Sequence, residues 1–292
     1  MELFAQQVMA GLASGAIYAC IALALVMIYQ AIGHVNFAQG EMATFSTFLS
    51  WQMMQWGSPY WAAFVAAVVL SFAGGMLIDT VVFRPIRKAS VLSQIVMFVG
   101  LLAILNSLSG FIWDFTSKPF PTPLGSGPLS GFRFMGMHQA AMMAITALML
   151  VLLYCFFRFT SVGLAMQAAA ENPDSARLVG VRVELMIALG WGMAAGIGAV
   201  AGIMIAPIVF LEPNMMLGIM LYGFAGAVLG GLASPLGAVI GGFLVGLIEN
   251  LAGTYIPAVG AELKLTIALA IIIVVLVVKP SGLLGPRHAQ RV

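Results

Sequence analysis

Six stretches of this sequence run free of Asp, Glu, Lys and Arg for longer than a bilayer core is thick: Leu3 to Gly40, Met42 to Ile78, Ala89 to Trp113, Phe134 to Phe157, Leu185 to Leu211, and Pro213 to Ile248. A hydrocarbon core of about 30 Å takes about 20 helical residues at 1.5 Å each, so such runs convert into membrane crossings. Only helices or closed barrels satisfy every backbone N–H and C=O in lipid, and runs of this length without alternation are helical. Three of the runs are too long for one span. Turn signals divide them, near Gly33, at Gly57-Ser58-Pro59, and at Gly230-Gly231-Leu232-Ala233-Ser234-Pro235. A last apolar segment lies between Lys264 and Lys279, short unless the lysine stems snorkel to opposite headgroup layers. The expected fold is therefore all-α, a polytopic membrane helix bundle of about 8–10 transmembrane helices, the best division placing nine near residues 7–32, 37–56, 60–83, 90–113, 137–158, 185–210, 215–231, 236–254 and 262–279. The chain, 1–292, is expected to form a single transmembrane domain.

Composition agrees and excludes other classes. Hydrophobic residues make up 62% and charged residues 8%, with mean hydropathy +1.08, where soluble domains carry about 25% charged residues. A net charge of +2 is too small and dispersed for nucleic-acid binding. Cys20 and Cys155 lie in apolar stretches without CxxC or Cys/His spacing, so they suggest neither a disulfide framework nor zinc. The amino terminus has no basic region before its apolar run and reads as a retained span rather than a cleaved signal. With that terminus outside, Arg84, Arg87, Lys88, Arg158, Arg177, Arg182, Lys279, Arg287 and Arg291 fall on the inner side, against Lys118, Arg133 and Lys264 outside, as the positive-inside rule requires. The segment 114–136, with Pro119, Pro121, Pro123 and Pro128, is then an external loop. Paired glycines such as Gly190/Gly192, Gly196/Gly198 and Gly241/Gly242 provide faces for close helix packing.

Motifs of intramembrane enzymes are missing: there is no HExxH, and no GxSxG with a plausible histidine partner. Ion-coupled carriers place several carboxylates at mid-membrane, whereas Glu249 is the sole carboxylate well inside an expected span, with Glu41 and Asp79 near span ends. Glu249 is either an interhelically bonded or snorkelling glutamate or a group on a translocation path. Asn36 and Gln39 have the spacing of a capping box, with Glu41 in the first turn that follows. If this helix start lies within the membrane, it can receive a substrate carboxylate; if it lies at the surface, it is an ordinary capped turn.

The longest internal hydrophilic stretch, 159–184, is expected to be cytoplasmic and to hold a short helix. Asn172 suits the N-cap, Pro173 the first helical position, Asp174 the first turn, and Gly180 the carboxyl-terminal stop. Ala176, Leu178 and Val179 beside Arg177 would form an amphipathic knob, suited either to a groove on a partner or to a lipid surface.

Four strings in order give the sequence a family likeness: GLASGAIYACIALALVMIYQAIGHVNFAQGEMATF, VVFRPIRKAS, GLAMQAAAENPDSARLVGVRV, and GAVLGGLASPLGAVIGGFLVGLIENLAG with KPSGLLG. Together they resemble the LivH-type permeases of ABC importers for branched-chain amino acids, over nearly the whole chain. The resemblance implies a permease subunit of an ATP-driven importer in the bacterial inner membrane, working by alternating access and itself no enzyme. It implies as partners a second permease (LivM-like or a second copy), two cytoplasmic ABC ATPase subunits and a periplasmic substrate-binding protein. ATP and Mg would sit on the ATPases, since this chain has no Walker A pattern, and no cofactor is expected on the chain itself. The internal loop is then the coupling helix, with Glu171, Asn172, Pro173, Asp174, Ala176, Arg177, Leu178 and Gly180 meeting an ATPase. Asn36, Gln39, Glu41 and Glu249 fall in family-like motifs and are candidates for the translocation pathway. Permeases for urea, short amides or aromatic acids share the same frame.

Overall fold

The computed structural model describes residues 2–87, 89–124, 135–256 and 263–285. Among them the helices are α1 (Glu2–Ile32), α2 (Gln39–Gln55), α3 (Tyr60–Ile78), α4 (Arg84–Ile86), α5 (Val91–Trp113), α6 (Met137–Phe159), α7 (Ser161–Glu171), α8 (Pro173–Leu178), α9 (Val183–Val209), α10 (Met216–Gly230), α11 (Pro235–Tyr255) and α12 (Lys264–Val278). Each of the nine expected spans coincides with one of these helices to within a few residues. Six helical segments are long and apolar enough to cross a membrane, namely Glu2–Ile32, Tyr60–Ile86, Val91–Trp113, Met137–Phe159, Val183–Val209 and Pro235–Tyr255. Helices α2, α10 and α12, of 17, 15 and 15 residues, are shorter. The protein is an all-α, multi-pass membrane protein, with an isolated antiparallel bridge between Lys118 and Leu211. Residues 125–134 of the expected external loop lie outside the described residues.

The three divisions of the long runs fall where the backbone needs them. Gly33, Gly57 and Gly231 all have positive φ, a conformation that costs little only without a Cβ. After Gly231, the Ser234 hydroxyl accepts from the Gly237 N–H at 3.0 Å and Pro235 opens α11, an N-cap followed by proline at N1.

The chain divides into two compact units. One comprises Met27–Pro123 and Ile145–Leu217. Here α2 and α3 pack on α9, whose small residues make the approach possible. A Cβ on Gly75 of α3 would lie 2.5 Å from the Trp191 carbonyl oxygen, and one on Gly192 would lie 2.9 Å from that of Phe72. Trp191 is completely buried, with its ring 4.6 Å from Phe83 and 6.1 Å from Phe98. Phe83 ends a π-helical turn, Asp79–Phe83, that joins α3 to α4 and has no signal in the sequence. The wider turn lets buried Asp79 reach Arg87, whose Nη2 donates to Oδ1 at 2.6 Å.

The other unit comprises Met1–Val26, Leu124–Ala144 and Gly218–Val292. In it α1, α10 and α11 meet through glycines: Gly226 lies against Gly242, Gly230 against Gly237, and Gly246 against Gly15. These backbones come within reach only because no side chain intervenes, the arrangement expected where dispersion rather than water exclusion holds helices together. Ala22, Val26, Ala227 and Ala238 form a fully buried cluster beside them, with Leu232 packed against it.

Candidate functional site

The start of α2 is where polar side chains collect. Asn36, Gln39, Glu41, Thr44, Ser46, Thr47 and Ser50 are all buried. The hydroxyls of Thr44, Ser46 and Thr47 donate to carbonyls four residues back and satisfy themselves within the helix. The first three residues behave differently. The expected capping box does not form: Asn36 Oδ1 accepts from the Ala38 N–H at 2.9 Å, and the Gln39 side chain turns away from the helix start. Its Nε2 donates to the Ala194 carbonyl oxygen at 2.8 Å. A long-range acceptor on α9 has outcompeted the local backbone, which the three-residue spacing of Asn36 and Gln39 alone cannot reveal.

That bond also places the helix start. Ala194 stands eleven residues into α9, about 17 Å along its axis by helical rise. Beyond it, Gly198 faces Gln39 and Ala43, and Gly202 faces Thr47 and Ala43, so α2 runs alongside the second half of α9. Helix α2 therefore begins partway along a 27-residue apolar helix. The start of α2 is thus packed against α9, with Asn36, Gln39 and Glu41 buried.

Glu41, on another side of α2, faces α5. Its Oε2 accepts from Asn106 Nδ2 at 3.3 Å. The same nitrogen donates to the Pro213 carbonyl oxygen at 3.3 Å and to Asn214 Oδ1 at 2.9 Å. Neither Asn106 nor Asn214 was expected at a site, although Asn106 is an uncharged polar residue deep in an apolar run, the signal by which it could have been noticed.

Glu249 belongs to the other unit. It is buried on α11, accepts a hydrogen bond from the Tyr18 hydroxyl at 2.8 Å, and has Lys264 Nζ 3.4 Å from Oε1. Tyr18 stacks on Tyr222 at 4.9 Å. The lysine stem crosses α11 at Gly253, where an added Cβ would lie 2.6 Å from Lys264 Cε. Glu249 is thus bonded between α1 and α11, with Lys264 of α12 beside it. The Lys264 stem folds back on α11.

The hydrophilic stretch 159–184 contains two helices rather than one. Thr160 caps α7, its hydroxyl accepting from the Gly163 N–H at 3.0 Å. Asn172 both ends α7 and caps α8, its Oδ1 accepting from the Ser175 N–H at 3.0 Å, with Pro173 at N1. Gly180, with φ of 85°, closes α8: its N–H donates to the Arg177 carbonyl and the Val181 N–H to that of Ala176, the paired bonds of a Schellman motif. Glu171, Asn172, Pro173, Asp174, Arg177, Leu178 and Gly180 are exposed. Ala176 is not part of the outward knob; it is buried, while Leu178 and Val179 are 89% and 79% exposed. Arg177 donates from Nη1 to Asp174 at 3.0 Å and from Nη2 to Glu184 at 3.1 Å, joining α8 to the first turn of α9. Among the described residues no group of three or more His, Cys, Asp and Glu side chains could hold a metal ion.

Residues 7–276 match the family described as branched-chain amino acid transport system, permease component. The chain belongs to that family. It is 30% identical to the high-affinity branched-chain amino acid transport system permease protein LivH of Escherichia coli, over 99% of this chain and 98% of that protein. It is 29% identical, over the same shares, to the corresponding protein BraD of Pseudomonas aeruginosa. A probable LivH of Methanocaldococcus jannaschii is 29% identical over 91% of this chain and 87% of its own length. Among solved structures, PsaBC from Streptococcus pneumoniae in complex with Fab matches with a TM-score of 0.51 and 12% identity, covering 93% of this chain and 91% of that one, a likeness of fold.

Proposed function

We propose that this chain is the membrane-spanning permease subunit of an ATP-driven ABC importer for branched-chain or other small neutral amino acids. The observation that carries the reading is the family match across residues 7–276, reinforced by full-length similarity to high-affinity branched-chain amino acid permeases. In this reading the chain lies in a bacterial inner membrane with its amino terminus outside, as one permease domain. It pairs with a second permease, LivM-like or identical, on two cytoplasmic ATPases, and takes substrate from a periplasmic binding protein.

ATP binding and hydrolysis by the partner subunits supply the energy, and this chain's part is mechanical. Helix α8, capped at both ends and carrying exposed Leu178 and Val179, is the coupling helix that seats on an ATPase. Arg177 passes its displacement to α9 through Glu184. Because α2 and α3 pack on α9, a rigid shift of α9 moves the buried polar start of α2, the segment that holds Asn36, Gln39 and Glu41 on the translocation pathway.

Affinity purification of the tagged chain from native membranes, with mass spectrometry of stoichiometric companions, tests this. Recovery of ATPase subunits and a second permease is expected. Recovery of the chain alone, active in gradient-driven uptake, would replace the proposal with an ion-coupled carrier.

A further inference from the structure

We propose that Glu41 Oε2, the Pro213 carbonyl and Asn214 Oδ1 form the receptor for the primary ammonium group of the transported solute, and that Asn106 occupies this receptor when no solute is bound. The inference rests on the reading of the chain as an amino-acid permease and adds the substrate group and the residues that take it.

Three observations lead to it. First, Glu41 is only 4% exposed, and among the described residues no cationic side chain lies within 4 Å of its carboxylate. The other two carboxylates buried in apolar helices, Asp79 and Glu249, each have a cation, Arg87 and Lys264. A buried carboxylate without a counter-charge is costly, and inside a membrane protein such a group is retained for function. Second, three acceptor oxygens converge on a single nitrogen, Asn106 Nδ2, at 2.9, 3.3 and 3.3 Å. An amide NH2 has two hydrogens for these three oxygens, so they are under-supplied. An –NH3+ group has three donors and the missing positive charge, and it fits the same centre. Third, burial is graded across the group. Glu41 and Pro213 are buried, Asn106 is half-buried, and Asn214 is exposed. A solute entering past Asn214 meets the carboxylate last.

Asn106 is thus a stand-in whose side chain must swing aside, and this gives the two polar residues opposite signatures. Replacing Glu41 removes the charge the ammonium needs; replacing Asn106 removes a competitor. A purely structural hydrogen-bonded hub would lose function from either change.

The test uses the purified permease–ATPase complex without its binding protein, with tritiated leucine as probe. Two competitors dissect the ligand: 3-methylbutylamine keeps the ammonium and lacks the carboxylate, and 4-methylpentanoate does the reverse. Glu41→Gln is expected to weaken leucine binding at least about tenfold, the scale of one charge-assisted hydrogen bond. Asn106→Ala is expected to bind leucine as tightly as the parent or more tightly. On the unaltered complex 3-methylbutylamine displaces leucine and 4-methylpentanoate does not. Unchanged binding in Glu41→Gln, weakened binding in Asn106→Ala, or displacement by 4-methylpentanoate alone overturns the inference. The competition on the unaltered complex decides even if a variant fails to assemble. Leucine uptake by cells carrying the intact transporter separates the two levels: absence of any amino-acid uptake sinks the proposed function, whereas normal uptake with a failed competition pattern sinks only the ammonium receptor.

Discussion

Lys264 is expected to matter more to the folded protein than the glutamate it faces. The pair is 3.4 Å apart, with the Glu249 side chain 10% exposed and that of Lys264 32% exposed. Lys264→Met removes the cation and leaves a buried carboxylate supported only by the Tyr18 hydroxyl. Breaking a fully buried pair in this way costs about 3–5 kcal/mol. Because the lysine is a third exposed, part of that cost is relieved by water or headgroups, and about 2 kcal/mol is expected. Glu249→Gln keeps an acceptor for Tyr18 and frees a lysine able to find hydration, so about 1 kcal/mol or less is expected. The double variant, with no charge left to bury, should resemble Glu249→Gln alone and be more stable than Lys264→Met. Thermal denaturation in detergent, followed by loss of monodisperse protein, reads this order. At about 2–4 °C per kcal/mol, Lys264→Met should fall by roughly 4–8 °C and recover most of that when Glu249→Gln is added. A Lys264→Met variant as stable as Glu249→Gln, or a double variant worse than both, would refute the reasoning.

Other outcomes follow from the same contacts. Arg177→Glu should lower substrate-stimulated ATP hydrolysis in the assembled complex while leaving its thermal midpoint nearly unchanged, because both ion pairs of Arg177 are exposed and worth at most about 1 kcal/mol each; normal stimulation would remove α8 from the coupling role. Gly75→Val should prevent α3 from seating on α9, since even its Cβ would lie 2.5 Å from a backbone oxygen, and should be seen as loss of folded protein by size-exclusion chromatography. Trp191→Ala, which empties a site against the stacked rings of Phe83 and Phe98, should cost about 3–5 kcal/mol in the same thermal assay. Asn172→Ala, which removes the α8 cap, should cost about 1 kcal/mol and reduce coupling less than Arg177→Glu.

The helices were legible in the sequence because apolar length sets them, and their ends because glycine and proline act locally. Gly33, Gly57 and Gly231 end apolar runs by adopting positive φ, and the Asn172-Pro173-Asp174 start and Gly180 stop of α8 need no tertiary information. What the sequence hid depends on distant partners. Gln39 leaves its expected cap for Ala194, 155 residues away, and Glu249 takes Tyr18, 231 residues away. The π-helical turn at Asp79 shares its composition with the helix around it and becomes visible only through the Arg87 bond. Helix α7 went unread because its weakly apolar stretch looked like part of a hydrophilic loop, although Thr160 ahead of it is a good cap. Asn106 collects three acceptors from α2 and the 213–214 segment, a convergence that no spacing along one helix encodes.

The central claim, that this chain is the translocating subunit of an ATP-driven amino-acid importer, is tested most directly by uptake into proteoliposomes. The complex copurified with the tagged chain would be reconstituted, loaded with ATP or a non-hydrolysable analogue, and supplied with labelled leucine on its binding protein. Leucine accumulation that requires hydrolysable ATP and is lost with Arg177→Glu is the predicted result. Accumulation that proceeds without ATP on an ion gradient, or no accumulation of any branched-chain amino acid by an intact complex, would contradict it.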